Sequence, residues 1–308
     1  MRAITLSSYG GPEVLELTEQ PDPLVGPDYV LVRVHATSVN PVDYKIREGY
    51  LQGLFPVHLP LIPGWDVAGV VEAVGPAVTE YVVGDEVVGY VRKDSIGHGT
   101  YAELVAAHVR HLALRPRSVS FEQAAALPLA GLTAFQSVDL AAVSEGDTVL
   151  VHAAAGGVGS FAVQIAAARG ARVVGTASER NHEYLRSLGA EPVEYGDGLV
   201  DRVRALAPDG VDAVLDYIGG ESLRASTRMV KDRGRIVSVI DPGTVQGLGG
   251  QYAFVRPDPQ DLAELATMVD AGRLRIELAR TFPFAQAADA QRLVAEGHVR
   301  GKVAISVP

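Results

Sequence analysis

A run of small residues between an apolar strand and a helix is the part of this chain best suited to holding an anion. Val149-Leu150-Val151-His152 leads into Ala153-Ala154-Ala155-Gly156-Gly157-Val158-Gly159, and a helical stretch continues to Arg169. Spaced glycines let a backbone turn approach a pyrophosphate closely, and the first amides of the following helix point at its charge. Ala154, Gly156 and Gly159 fall on the three small positions of a dinucleotide fingerprint, with alanine departing from the strict pattern at the first. A strand–helix turn that needs small residues for packing alone would read the same way. Arg172–Thr176 supplies the second strand that a mononucleotide-binding half requires. The residue at the end of that strand selects the cofactor: an acid hydrogen-bonds the ribose diol of NAD, whereas Arg and hydroxyl groups accommodate the extra phosphate of NADP. Ser178 stands where the acid is expected and Arg180 follows two residues on, which favours NADPH. Glu179, between them, would repel that phosphate if it turned inward. Ser178 also suits a helix N-cap, a use compatible with phosphate binding.

The elements needed to position this turn are legible around it. From Thr148 onward, strands at Thr148–His152, Arg172–Thr176, Pro192–Glu194, Ala213–Asp216 and Arg235–Ile240 alternate with helices starting near Gly157, Glu179, Leu199 and Glu221. That alternation predicts a doubly wound parallel sheet, in which ligands lie beyond the carboxyl ends of the strands. Before residue 120 the chain reads instead as short Val-rich strands, such as Tyr29–Ala36, Val67–Val74 and Asp85–Tyr90, punctuated by Gly and Pro. These suit a partly antiparallel barrel. Ser120 with Glu122-Gln123 starts a helix. A helix over Pro259–Ala271, a second over Ala285–Ala295 and a final strand over Gly301–Val307 follow the α/β block, and this tail can rejoin the first domain. Gly243–Gly250 holds four glycines and few anchors, and reads as a mobile loop that gates the site or lies at an interface.

Composition narrows the function classes. The chain has 308 residues, 27 Lys and Arg against 37 Asp and Glu, a net charge of −10 and no cysteine. Such an acidic chain is poorly suited to nucleic acid or an anionic membrane. Disulfides and thiolate metal sites are excluded. The lack of cysteine suits a reducing cytosol, so a cytoplasmic location is expected. The start, Met1-Arg2-Ala3-Ile4, does not read as a signal peptide, and no apolar run reaches the ~18 residues needed to span a bilayer.

Several segments together resemble the zinc-independent quinone oxidoreductase branch of the medium-chain dehydrogenase/reductase superfamily. They are His152–Gly159, Gly131-Leu132-Thr133-Ala134, Asn40–Lys45, Pro63–Gly69, Val83–Val87, Gly99–Glu103 and Gly301-Lys302-Val303. The resemblance covers essentially the whole chain. It implies a GroES-like β-barrel domain over residues 1–119, completed by 257–308, a Rossmann domain over 120–256, a cofactor in the cleft and a homodimer paired through the Rossmann sheet edge. Zinc alcohol dehydrogenases of the superfamily carry a ligand Cys soon after the second-strand region and a Gly-His-Glu segment. Here the Cys is lacking and Gly64-Trp65-Asp66 stands in place of the second, so no metal is expected. Without a Lewis acid, reduction of a conjugated carbonyl is favoured over alcohol oxidation, since one or two hydrogen-bond donors can hold an enolate.

The expected activity is NADPH-dependent reduction of quinones or α,β-unsaturated carbonyl compounds. The alternatives are a pathway-specific enone reductase and a non-catalytic NADP-binding protein of the same fold. By the resemblance, Asn40 lies near the nicotinamide and ribose, although it also suits a turn before Pro41. Lys45 is a candidate donor to the substrate oxygen or to ribose, or a solvated lysine. Tyr44 and Tyr50 are candidates for a substrate-side hydroxyl or aromatic wall, or packed barrel residues. Asp43 and Asp66 are expected to position a neighbour such as Lys45. Thr133, the turn Ala155-Gly156-Gly157-Val158-Gly159, Ser178, Arg180, Tyr195, Ile240, Phe254, Val255 and Lys302 complete the expected cofactor contacts. Tyr195 could equally be a surface aromatic, and Lys302 a surface lysine.

Overall fold

Alternation of apolar and polar residues builds the first strands. In Tyr29–Val39, Val30, Val32 and Val34 are buried, while Arg33 between them turns to solvent and pairs with Glu72. The computed structural model describes all residues from Met1 to Pro308 and divides them into two units. The first comprises Met1–Leu129, Pro257–Gly272 and Ile276–Pro308, and the second Ala130–Arg256 with Arg273–Arg275.

The first unit is built on a seven-stranded sheet. Its path runs Leu278–Pro283, Lys302–Ser306, Tyr29–Val39, Asp66–Val74, Glu86–Tyr90 and Leu112–Leu114, with Leu104–His108 paired to Tyr29–Val39. The pairs are antiparallel except that between the last two strands of the chain. The C-terminal strand joins the N-terminal strands as expected. Its register sets Val303 against Val39, which brings the next residues along, Lys302 and Asn40, beside each other. Residues 120–129 belong to this unit. Ser120 caps Phe121–Ala125 by accepting from the Gln123 N–H, and the Phe121 ring stacks on His35 with centroids 4.5 Å apart while Arg115 covers it. The division therefore falls at Leu129 rather than at 119.

The second unit holds a six-stranded, wholly parallel sheet in the order Ala190–Val193, Arg172–Thr176, Thr148–Val151, Ala213–Asp216, Ile236–Ser238, Gln251–Tyr252. The order reverses at Thr148–Val151, where doubly wound sheets bind their ligands. Most inner positions of these strands are buried apolar side chains, as a sheet covered on both faces requires. Helix Gly157–Ala168 follows the central strand, and Leu199–Leu206 and Gly220–Ala225 lie where helices are expected. Glu179–Asn181 forms a 3-10 turn before the short helix His182–Ser187.

Gly243–Gly250 is not the loop that its glycines suggest. Pro242–Gly247 is a helix, with Pro242 in its first turn and the Asp241 carboxylate accepting from the Thr244 N–H. Val245 on this helix is fully buried. A cap and an N-terminal proline nucleate this helix despite the glycines. Gln251–Tyr252 then adds an edge strand that was not foreseen.

Candidate functional site

In the second unit the turn after the central strand is held by the strand beside it. The Ala154 N–H donates to the Thr176 carbonyl and the Ala153 N–H to Thr176 Oγ1, both at 3.0 Å. Ala153 takes the left-handed conformation at φ 52°, a strained state for a residue with a side chain that recurs at functional turns. Gly159 tolerates no Cβ: one would sit 2.3 Å from the Ala153 carbonyl oxygen and 2.8 Å from Ala154 Cα. Gly156 is the N-cap of helix Gly157–Ala168 and has no side chain to offer. The amides of Gly157, Val158 and Gly159 therefore have no acceptor in the protein, since the first turn of a helix lacks partners for its N–H groups. A side-chain-free cradle over unsatisfied amides fits the pyrophosphate of a dinucleotide.

Ser178 and Arg180 lie past the end of the strand that braces this turn. Ser178 occupies the N-cap of the 3-10 turn but makes no capping bond with its side chain; Asn181 Nδ2 donates to its hydroxyl at 3.4 Å. Arg180 and Glu179 are exposed on that turn, and Tyr195 is exposed beyond the next strand. Ile240 and Phe254 are exposed just past the carboxyl ends of the neighbouring strands Ile236–Ser238 and Gln251–Tyr252, and Val255 beside them is half-buried. Thr133 is buried in helix Pro128–Leu140, and its carbonyl accepts from the Ser137 hydroxyl.

Two residues at this end of the sheet carry structure that the sequence did not disclose. The buried Asp216 carboxylate accepts from Ser238 Oγ at 2.6 Å and from the Gly219 N–H, fastening two strand ends together. Buried His152 shares a hydrogen bond of 3.0 Å with Ser226 Oγ, and burial pushes its imidazole down to about 4, so it is neutral at ordinary pH.

The first unit gathers a second polar cluster. Asn40, Asp43, Asp66, Tyr101 and Lys302 are all buried. Asp66 Oδ2 accepts from Ser38 Oγ at 2.6 Å and from Asn40 Nδ2 at 2.7 Å, while Oδ1 accepts from the Leu129 N–H at 2.8 Å. Lys302 Nζ donates to Asn40 Oδ1 and to the Val39 carbonyl, and lies 3.8 Å from Asp66 Oδ2. Asp43 Oδ2 accepts from the Asn40 N–H at 2.8 Å and from the Tyr101 hydroxyl at 3.3 Å; Oδ1 has no partner. Burial raises the Asp43 carboxyl to about 7, with Asp66 adding to the rise, against the Asn40 N–H and Lys302. Burial likewise pushes Asp66 up and Lys302 down from their ordinary values, each opposed by the other's charge.

Asp43 and Asp66 thus position Asn40 and Lys302 rather than Lys45. The Lys45 side chain makes no ion pair or hydrogen bond, because the helix Pro41–Arg47 turns Asp43 inward and leaves Lys45 half-buried. Tyr44 is half-buried, with its phenol raised by burial and by Glu48, and Tyr50 is largely exposed. Lys302 is not a surface lysine.

These donors do not fit a zinc ion. The chain has no cysteine, no three His, Asp or Glu residues come together as a ligand set, and the cation beside Asp66 is the Lys302 ammonium. No helix is long and apolar enough to cross a membrane.

Residues 26–117 match the family model described as alcohol dehydrogenase GroES-like domain, and residues 188–305 that described as zinc-binding dehydrogenase. The chain is 35% identical to the NADPH-dependent alkenal/one oxidoreductase of Arabidopsis thaliana chloroplasts, over 99% of this chain and 79% of that protein. Among solved structures it superposes on the quinone oxidoreductase of Coxiella burnetii with a TM-score of 0.89 and 37% identity, covering 100% of this chain and 99% of that one. A mycobacterial protein solved with NADPH gives a TM-score of 0.86 at 29% identity, with both chains fully covered.

Proposed function

The chain belongs to the quinone oxidoreductase family of the medium-chain dehydrogenase/reductase superfamily, and on that premise we propose that it reduces quinones or α,β-unsaturated carbonyl compounds with NADPH and without a metal. The observation that carries the reading is the cradle at Gly156–Gly159, whose unsatisfied amides and absent side chains suit a pyrophosphate. Ser178, Arg180 and Tyr195 are read as holding the adenosine phosphate. Thr133, Ala155, Ile240, Phe254, Val255, Asn40 and Lys302 complete the proposed cofactor contacts. Glu179 is exposed beside Arg180 and is read as turned to solvent.

When bound, NADPH supplies a hydride to the electrophilic carbon of the substrate. The residues must then hold the negative charge that collects on the substrate oxygen. Lys45, with no competing partner, is the proposed donor to that oxygen, and the hydroxyls of Tyr44 and Tyr50 are the proposed substrate-side groups. Water delivers the proton to the adjacent carbon. A zinc-free site is supported by the donor set, since an ammonium beside Asp66 opposes a second cation there. The proposed assembly is a homodimer, supported by the unpaired outer edge of Gln251–Tyr252, and the proposed location is the cytoplasm.

The test is NADPH consumption by purified protein with a quinone panel and an enone panel, with and without a chelator. The reading predicts turnover that the chelator leaves unchanged. Absence of turnover on both panels, with NADPH still bound, would favour a non-catalytic role instead.

A further inference from the structure

The two groups that flank the Asn40 side chain can each hydrogen-bond in one sense alone. An ammonium has donors and no acceptor, and an ionised carboxylate has acceptors and no donor. With Lys302 Nζ on one end of the Asn40 amide and Asp66 Oδ2 on the other, Oδ1 must face the lysine and Nδ2 the aspartate. A flipped amide would set N–H against N–H and oxygen against oxygen in a buried site, where unpaired polar groups are most costly. The flanking groups are themselves pinned. Asp66 is held by Ser38 Oγ and by the Leu129 N–H, and Lys302 by the Val39 carbonyl and by the strand register that sets Val303 against Val39.

We propose that Asp66 is a positioning residue that, with Lys302, locks the Asn40 amide in one orientation, so that its second N–H is presented to the bound dinucleotide. This rests on the reading of the protein as an NADPH enzyme with Asn40 among its cofactor contacts. Asp66 has a second duty in the same arrangement: as the counter-charge of Lys302 it keeps that group an ammonium. Asp43 is the other charged group facing Lys302, and Tyr101 lies beyond it on the Asp43 carboxylate.

The experiment is calorimetric titration with NADPH of the wild type, Asp66→Asn, Lys302→Met, Asn40→Ala and the Asn40→Ala/Asp66→Asn double variant, across a range of pH. An Asn at 66 keeps its oxygen on the Leu129 N–H and turns its NH2 toward Asn40, so that both neighbours of the Asn40 amide then donate and its orientation is no longer fixed. We expect Asp66→Asn, Lys302→Met and Asn40→Ala each to raise the dissociation constant roughly tenfold, the scale of one charged hydrogen bond. The double variant should bind no more weakly than Asn40→Ala, because a positioning residue has nothing left to position. In Asp66→Asn the loss of affinity at alkaline pH should begin at a lower pH than in the wild type, since Lys302 has lost the charge that holds its proton. Wild-type affinity in Asp66→Asn and Lys302→Met, or full additivity in the double variant with an unmoved pH profile, would overturn the proposal. If Asp66→Asn does not fold, Lys302→Met carries the test, because Asp66 keeps its bonds to Ser38 and Leu129. Failure of the wild type to bind NADPH would instead refute the functional reading.

Discussion

The Lys302 ammonium and the Asp66 carboxylate lie 3.8 Å apart with side-chain exposures of 6% and 0%. They sit on strands 236 positions apart in sequence. Removing one partner of a buried pair strands the other charge away from water, typically at about 3–5 kcal/mol. Asp66 retains three other donors, so Lys302→Met should fall near the lower end of that range. Urea unfolding of the variant should show a midpoint well below the wild type; an unchanged midpoint would mean that the pair does not form.

Asp43 makes stability depend on pH. Its folded carboxyl, at about 7, lies above the ordinary value of 3.8. Between these values the native state binds the proton more tightly than the unfolded chain does. Stability from this group is therefore fully present below the ordinary value of 3.8 and is lost as pH rises through about 7, at up to about 1.4 kcal/mol per pH unit. Unfolding curves at stepped pH should show a falling limb over this window. Asp43→Asn should flatten it, leaving the part due to Asp66.

Much of the second unit was legible because its signals are local. The strand, the small-residue turn and the helix from Thr148 to Ala168 occupy adjacent residues, and Ser120 with Gln123 announced a helix that Ser120 indeed caps. The Asn40–Asp66–Lys302 cluster was not legible, because it is made by strand register across the chain ends and no local pattern encodes that. Asp216 with Ser238 is hidden for the same reason, being a bond between neighbouring strand ends. The helix at Pro242–Gly247 is a different case: Asp241 and Pro242 carried its start signal, and four glycines outweighed it.

The two glycines of the phosphate turn should separate folding from binding. A Cβ on Gly156 meets nothing closer than the Ala153 carbonyl oxygen at 3.3 Å, whereas one on Gly159 collides with backbone. Gly156→Ala should keep its melting temperature and raise the NADPH dissociation constant about tenfold or more, through a methyl group placed in the cradle. Gly159→Ala should lose both binding and about 1–3 kcal/mol of stability, as overpacking does. Equal NADPH affinity in Gly156→Ala and wild type would move the pyrophosphate elsewhere.

Arg180 should choose between cofactors. Arg180→Ala is expected to raise KM for NADPH by roughly 10- to 100-fold, the loss of one charge-assisted phosphate contact, and to leave KM for NADH nearly unchanged. Steady-state kinetics with both cofactors reads this directly. Parallel changes in the two constants would remove Arg180 from the phosphate site.

Direct hydride transfer to a conjugated carbonyl compound is the central claim, and isotopic labelling tests it most directly. An enone is incubated with the protein and NADPH carrying deuterium at the transferred position, and the product is examined by NMR. The account predicts a saturated ketone or aldehyde with deuterium on the β-carbon and solvent hydrogen on the α-carbon. Deuterium on the carbonyl carbon, giving an unsaturated alcohol, or no reduced product with either an enone or a quinone, would contradict it.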